Sequence, residues 1–219
     1  MSPRRPPKPD CLQTQVLKPR YSLVKYVFTD IKGFTQNPEV DVQAKKVQTL
    51  NRVVCEALGI ADVPNDSRVL IPTGDGVCIG CLDISGSATP DVSLALAILA
   101  LLDKHNKKHK PGDTRRFDVR IGINHSTDLI VNGINGAPNV VGSGINYAQR
   151  IMDCADDGQI LLSRGAYDTL RNFYRPSAFR HAIGRIKHDE TIDLYQFVGD
   201  SKHPGLSLTE PTRCQICDS

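Results

Sequence analysis

The order of apolar strands and amphipathic helices is the feature that most limits how this chain can fold. Apolar patterns predict a strand at residues 22–30, a hairpin of two strands at 68–82 and a further strand from 118 onward. Helices are predicted at 39–60 and 89–109, the second more buried than the first. The order β-α-β-β-α-β is that of the ferredoxin-like fold. We therefore expect an α+β domain with a ferredoxin-like core and added elements.

The added elements follow in the second half of the chain. Residues 118–146 begin with a strand, pass a polar turn, re-enter a strand at DLIVN and end in a Gly-, Asn- and Pro-rich connection. A helix is then predicted at 144–155, a strand at 158–163, a short helix at 164–173 and a closing strand at 191–199.

The two ends of the chain differ from the part between them. Residues 1–20 are rich in proline, lysine and arginine, which favours a flexible N-terminal arm. Residues 21–199 hold all the predicted elements and form the expected folded domain. Residues 200–219 are expected to form a C-terminal tail.

Composition and charge exclude several classes of protein. The formal net charge is +3, from 27 basic and 24 acidic residues, an excess too small to indicate nucleic-acid binding but compatible with a local site for a polyanionic small molecule. No segment approaches the about 20 apolar residues of a membrane span. The basic N-terminus lacks the apolar core of a signal peptide. We therefore expect a cytoplasmic protein with neither membrane nor nucleic acid as a partner.

Seven cysteines in a chain without an export signal predict reduced thiols. The pairs Cys78/Cys81 and Cys214/Cys217 have C-x-x-C spacing, so a four-thiolate zinc site is one alternative. Positions three apart on a strand point to opposite faces, and buried free thiols therefore explain the first pair better. The second pair lies in the predicted tail, where the sequence does not decide whether it binds metal.

Two aspartates stand where predicted strands end. Asp30, in FTDIKGFT, could simply cap a turn, but a strand end followed by backbone N–H groups also suits a phosphate and its metal. Asp75, in TGDGV, could likewise be only a turn former. The first strand should lie beside the hairpin, so the two carboxylates can face each other. Paired carboxylates repel unless a divalent cation lies between them.

Two further polar features accompany these aspartates. Asn146 and Arg150 are four residues apart on a predicted helix and therefore share one face. An amide and a guanidinium on one face can orient a sugar and neutralise charge on a phosphoryl group, although such pairs are also common on solvated helices. Lys187 precedes the last predicted strand.

Taken together, these segments resemble a known family. FTDIKGFT, TGDG, VVGSGINYAQR and IKHDETIDLYQF have the order and approximate spacing of the class III nucleotidyl cyclase catalytic domain, over about residues 22–199. The resemblance implies the class III cyclase fold. It also implies a reaction in which the ribose 3′ oxygen attacks the α-phosphorus of a nucleoside triphosphate and pyrophosphate leaves.

The resemblance assigns a metal-binding role to the end of the first strand. Asp30 and Asp75 would carry two Mg²⁺ or Mn²⁺ ions in each active site, with the Ile31 carbonyl as a further ligand.

The remaining substrate contacts are assigned in the same way. Gly33, Phe34 and Thr35 would cradle the phosphates, and Lys187 would grip the triphosphate.

The catalytic pair follows from the same resemblance. Asn146 would orient the ribose, and Arg150 would stabilise the transition state at the α-phosphate. In this family the metal-binding half and the Asn/Arg half of one site come from different protomers. This chain carries both halves, so the resemblance implies a head-to-tail homodimer with two equal sites.

The two positions that read the base depart from the family pattern. Adenylate cyclases usually carry Lys where this chain has Ile71, and an acid, Thr or Ser where it has Asn139; the Glu and Cys of guanylate cyclases are absent too. Asn139 offers both a donor and an acceptor, which could suit uracil. In this respect the chain resembles the pyrimidine cyclases of bacterial anti-phage signalling (the Pycsar type), whose cyclic UMP or cyclic CMP would be read by a separate effector protein. We expect UTP ahead of CTP.

Two alternatives remain open. The chain could be an adenylate cyclase with an atypical base pocket. It could also be a catalytically inactive cyclase-like module that dimerises or binds nucleotide, although paired carboxylates are costly to keep without a function.

Overall fold

A mixed β-sheet organises the protein, whose computed structural model describes residues 18–36, 39–82, 88–185 and 190–217. The strands of this sheet are β1 (Arg20–Ile31), β2 (Arg68–Pro72), β3 (Gly76–Leu82), β4 (Val119–Asn132), β5 (Pro138–Val141), β6 (Ile160–Ser163), β7 (Phe179–Arg185), β8 (Thr191–Phe197) and β9 (Cys214–Ile216). The helices are α1 (Val40–Ile60), α2 (Pro90–Asn106), α3 (Gly144–Asp153) and α4 (Arg164–Leu170).

The strand order confirms the predicted ferredoxin-like core. The sheet runs β2-β3-β1-β4-β6-β8-β7-β9, and β5 pairs with β4 outside this path. Its first four strands, β2-β3-β1-β4, are joined by antiparallel ladders, as the β-α-β-β-α-β order requires. The added strands extend the sheet from β4 through a parallel pairing with β6.

Helices cover both faces of this sheet. Alternate residues of β1 point to opposite faces, so Val27 and Ile31 join the core under α1 and α2, while Val24 and Phe28 join the core under α3. The helix α1 contributes one apolar stripe, whereas α2 is buried on most of its surface, as the sequence predicts. Among the described residues, no helix is both long and apolar enough to cross a membrane.

The polar turn predicted within residues 118–146 is not formed. Instead β4 is one continuous strand of 14 residues that pairs with β1 along its length. Its polar side chains are hydrogen-bonded to other elements. His125 Nε2 lies 2.6 Å from Asp91 Oδ2, and Asp128 accepts a hydrogen bond from the Tyr26 hydroxyl at 2.6 Å. These contacts remove the cost of placing polar groups in a strand, so a turn is unnecessary.

The segment after residue 200, expected to be a tail, also differs from the prediction. β9 adds an antiparallel strand to β7, a strand that the sequence pattern did not reveal. Gln159 and Gln196 each donate a side-chain hydrogen bond to the Thr209 carbonyl, at 2.9 and 2.7 Å. The two glutamines are fully buried, and the C-terminal segment supplies acceptors for their amides.

The backbone of α3 rests directly on β4 at Gly122. A Cβ atom added there would lie 2.4 Å from the Met152 nitrogen and 2.5 Å from the Ala148 carbonyl oxygen. No side chain fits at this distance, so a glycine is required for the close approach of helix and strand.

We predict that Gly122→Ala destabilises the protein by about 1–3 kcal/mol, because α3 must move away from β4 to admit a methyl group. The matched control is Gly59→Ala near the end of α1, where an added Cβ meets no atom within 4 Å. Denaturant unfolding measures both variants. Equal midpoints for the two variants would show that α3 is not held at this distance.

Candidate active site

The end of β1 brings two carboxylates together. In the ladders of β1, Asp30 lies opposite Gly76 on one side and Arg120 on the other. The Ile31 N–H donates to the Asp75 carbonyl at 3.2 Å, which fixes the hairpin turn against the strand end. A Cβ at Gly76 would lie 2.2 Å from the Thr29 carbonyl oxygen, so this approach also needs a glycine.

The electrostatics of this pair disfavour two negative charges. The Asp30 carboxylate is 14% exposed and accepts hydrogen bonds from Arg120 Nη2 at 3.0 Å and Nε at 3.3 Å. Burial raises the pKa of Asp30 above its usual value, and the neighbouring Asp75 raises it further, against the opposing effect of Arg120.

The oxygen atoms of Asp30 and Asp75 fit a divalent cation that takes its other ligands from a substrate. Hard oxygen ligands suit Mg²⁺ or Mn²⁺, and Mg²⁺ is commonly held by one or two carboxylates together with substrate phosphates. Within the described residues, no group of three or more His, Cys, Asp or Glu side chains is arranged to hold a metal. Cys78 and Cys81 are buried in β3, and burial raises the pKa of Cys81 to about 12, as expected of structural thiols.

A tight turn follows the two carboxylates. Gly33 has a φ of +66°, and the Gln36 N–H donates to its carbonyl at 3.0 Å, closing a single 3₁₀ turn that begins at Phe34. Phe34 packs against the main core, whereas Thr35 is exposed. The first N–H groups of such a turn have no partner within it and can bind an anion.

Buried polar contacts fix the start of α3. Asp128 Oδ2 accepts hydrogen bonds from the Gly144 N–H at 3.1 Å and from the Tyr26 hydroxyl, while Asn124 donates to the Gly144 carbonyl at 3.0 Å. Asp128 is 5% exposed, and burial together with the hydrogen bond to Asp128 raises the pKa of Tyr26. These contacts position the two predicted catalytic residues on α3.

Asn146 and Arg150 line an open cavity of about 540 Å³. The other lining residues are Gln149, Asp153, Cys154, Arg185 and Arg213. Arg120 Nη2 lies 3.1 Å from Asp153 Oδ1, so one guanidinium links this cavity to Asp30. In the described part of the chain, neither Asn146 nor Arg150 forms a hydrogen bond or ion pair with the two carboxylates at the end of β1.

The two predicted base-reading residues lie on neighbouring strands. Ile71 in β2 is half-buried and packs against the cluster that contains Val140, and β2 contacts β5, the strand of Asn139. The Asn139 side-chain oxygen accepts the Val140 N–H at 2.8 Å. This contact takes one of the two lone pairs on that oxygen, and the two amide N–H groups remain as donors, so Asn139 keeps both a donor and an acceptor function.

Lys187, the remaining predicted site residue, lies outside the described residues. The sequence interpretation missed Arg120, Asp128 and Arg213. Arg120 could have been found by aligning β1 against the VRIGI strand, which places it opposite Asp30. Asp128 begins the predicted strand DLIVN and Arg213 lies in the segment assigned to a tail, so no local signal marked either one as a site residue.

Comparison with known families gives one extended match. The sequence model of the family described as "Adenylate and Guanylate cyclase catalytic domain" matches residues 16–191. An adenylate cyclase of Mycobacterium tuberculosis (strain ATCC 25618 / H37Rv) is 25% identical over 166 residues, which cover 73% of this chain and 36% of that protein. This chain therefore spans about a third of the length of the curated relatives that it matches.

Solved structures show the same fold. The guanylate cyclase domain of RhGC from Catenaria anguillulae, solved in complex with GTP, superposes with a TM-score of 0.64 at 18% identity, covering 84% of this chain and 99% of that one. The adenylyl cyclase CyaB from P. aeruginosa superposes with a TM-score of 0.59 at 22% identity, covering 86% of this chain and all of that one.

We predict that, without divalent cations, Asp30→Asn stabilises the protein at pH 7. The folded pKa lies above the ordinary value of 3.8, so ionised Asp30 costs stability once the pH exceeds the raised pKa. The advantage of the variant should shrink as the pH falls and wild-type Asp30 becomes protonated. Denaturant midpoints between pH 4 and pH 8 in EDTA measure it.

Exposed Asp66 provides the control, and its replacement by Asn should move the midpoint little. Added Mn²⁺ should stabilise the wild type more than Asp30→Asn, since only the wild type keeps both carboxylates. A less stable Asp30→Asn at pH 7 in EDTA would mean that the Arg120 ion pair outweighs burial and repulsion.

Proposed function

This chain belongs to the family of adenylate and guanylate cyclase catalytic domains, and from this premise we propose that it cyclises a nucleoside triphosphate, with UTP preferred. The observation that carries the proposal is the pair Asp30 and Asp75 at the end of β1. A half-buried turn former has no need of a second carboxylate beside it. Burial and the neighbouring Asp75 both raise the pKa of Asp30, so the ionised pair is electrostatically unfavourable. Such strain is typical of a functional site.

In the proposed reaction, each part of the site has one task. Asp30 and Asp75, with the Ile31 carbonyl, would hold Mg²⁺ or Mn²⁺, which when bound neutralises phosphate charge and lowers the pKa of the ribose hydroxyl. The turn at Gly33 and Phe34 would bind phosphate oxygens through backbone N–H groups.

The residues of α3 act at the reacting atoms. Asn146 would orient the ribose so that its 3′ oxygen lies in line with the α-phosphorus. The 3′ hydroxyl gives up its proton to water as its oxygen bonds to the α-phosphorus, the bond from this phosphorus to the bridging oxygen breaks, and pyrophosphate leaves with the electron pair. Arg150 would offset the charge that develops on the α-phosphate oxygens. Arg150 has no carboxylate partner among the described residues, so its guanidinium is available for this contact.

The preference for UTP rests on the side chain of Asn139. The Val140 N–H occupies one lone pair of its oxygen, and its two amide N–H groups are the donors that it can offer to a base. The O4 carbonyl of uracil accepts such a bond, whereas cytosine and adenine carry an amino group, itself a donor, at the corresponding exocyclic position. Half-buried Ile71 offers an apolar wall where adenylate cyclases have Lys. Guanine also carries a carbonyl, so the site would distinguish it from uracil only by the larger size of the purine ring.

The proposed biological role follows from the product. A cytoplasmic cyclase that makes cyclic UMP would synthesise a second messenger for a separate effector protein, as in bacterial anti-phage defence. This role depends on the pyrimidine preference and is wrong if the enzyme prefers a purine nucleotide.

The proposed assembly is a head-to-tail homodimer with shared sites. In the described part of one chain, Asn146 and Arg150 form no hydrogen bond or ion pair with Asp30 or Asp75. Arg120 pairs with both Asp30 and Asp153 and so links the two sets. A partner protomer could bring its own carboxylate pair to the exposed face of α3, as expected for an isologous dimer.

We predict that UTP is cyclised ahead of CTP, ATP and GTP when all four compete at equal concentration with Mn²⁺. Each unpaired polar contact with the wrong base costs about 1–3 kcal/mol, which is about tenfold to a hundredfold in rate. Asn139→Ala should reduce this discrimination, whereas Asn51→Ala on the exposed surface of α1 should not. Products are separated by chromatography.

The outcomes of this experiment distinguish the alternatives. Mainly cyclic AMP would support an adenylate cyclase with an atypical pocket. No cyclic product from any of the four nucleotides, by a folded dimer, would support an inactive module.

We predict that Asp75→Asn and Arg150→Ala chains, each inactive alone, regain activity when mixed. With random exchange, half of the dimers are mixed and each has one intact site, so about a quarter of wild-type activity should return. Mixing Asp75→Asn with Asp30→Asn provides the control, because both sites then keep a damaged carboxylate pair. Proven subunit exchange without recovered activity would place each site within one chain.

A further inference from the structure

The C-terminal strand delivers an arginine to the cavity that contains Asn146 and Arg150. β9 pairs with β7 in a register that places Cys214 opposite Gly184, and the Arg185 N–H donates to the Arg213 carbonyl at 3.4 Å. Arg185 and Arg213 therefore lie side by side, and both line the cavity. Arg213 is outside residues 16–191, the part of the chain that matches the cyclase family.

The backbone around Arg213 is fixed by several contacts. The Thr212 N–H and hydroxyl donate to the Asp156 carboxylate at 2.7 and 3.1 Å. The Cys214 thiol donates to the carbonyl of Cys154, the residue after α3, at 3.9 Å. Arg213 is thus held on the domain rather than carried by a loose tail.

A structural role for Arg213 accounts for only one of its donors. Its Nη1 donates to the Asp153 carbonyl at 2.9 Å, which suits a cation at the C-terminus of α3. Arg120 already donates to the same carbonyl at 3.4 Å and pairs with the Asp153 carboxylate. A guanidinium has five N–H donors, so most of those on Arg213 have no partner among the described residues and are available to a ligand.

The cavity has an excess of positive charge. Arg150, Arg185 and Arg213 line it, and Asp153 is the one acid among the described residues that line it. The Asp153 carboxylate is already paired with Arg120. In the described part of the chain, no carboxylate pairs with the three lining arginines. Three guanidinium groups in one cavity favour a ligand with several negative charges, and planar guanidinium groups suit phosphate oxygens.

We propose that Arg213, together with Arg185, binds the β- and γ-phosphates of the nucleotide, so that the C-terminal segment completes the phosphate-binding part of the active site. The proposal rests on the proposed function, in that Arg150 on the same cavity is assigned to the α-phosphate. It adds a substrate-binding residue from a segment outside the family match, and it places the leaving pyrophosphate against Arg213, the residue before β9.

The test uses inorganic tripolyphosphate, whose binding requires no turnover. Calorimetric titration of the full chain in EDTA, at low salt, is compared for the wild type, Arg213→Gln, Arg213→Lys and Arg180→Gln. Arg180 is the matched control, because it also donates to a backbone carbonyl of the C-terminal segment, that of Leu208, but does not line the cavity.

We expect Arg213→Gln to weaken tripolyphosphate binding about tenfold, Arg213→Lys to weaken it less, and Arg180→Gln to leave it unchanged. KM for the nucleotide should rise with the same ranking. A fall in thermal stability of Arg213→Gln with unchanged tripolyphosphate affinity would overturn the proposal and leave Arg213 as a helix cap.

The cyclase activity and the phosphate-binding role of Arg213 can be disproved separately. If the wild type makes no cyclic nucleotide but binds tripolyphosphate through Arg213, the phosphate site stands and the cyclase activity does not. If the wild type is active and Arg213→Gln matches it in KM and tripolyphosphate affinity, the activity stands and the role of Arg213 is wrong.

Discussion

The register of β1 against its two neighbours is the constraint on which the rest of the site depends. Antiparallel pairing with β3 and β4 places Asp30 opposite both Gly76 and Arg120. A shift of one residue would turn the core side chains of β1 to the wrong faces, so the two hydrophobic layers hold this register. The hairpin turn with Asp75 is fixed by the same pairing.

The register also determines an electrostatic cost. Burial and Asp75 raise the pKa of Asp30, and the single guanidinium of Arg120 does not fully compensate. A sheet held by extensive packing can carry such a cost at one strand end, because the core residues on both faces supply the stability. The same imbalance is what would draw a divalent cation to the site.

Arg120 connects the parts of the molecule that the proposed chemistry needs. It pairs with Asp30 at 3.0 Å and with Asp153 at 3.1 Å, and so joins the end of β1 to the end of α3. Arg213 reaches the same end of α3 from the C-terminal segment. If a phosphate ligand moved Arg120 or Arg213, it would break their contacts with Asp153, which hold the end of α3 in place.

The sequence by itself determined the ferredoxin-like core, the helices α1 and α2, and the placement of Asn146 and Arg150 on one helix face, because these follow from local periodicity and spacing. Only the tertiary structure decided that Asp30 pairs with Arg120, 90 residues away, and that Arg213 enters the cavity. It also decided that β4 runs straight through its polar residues, since their partners come from other elements. Contacts between distant segments depend on strand register and packing, which no local pattern records.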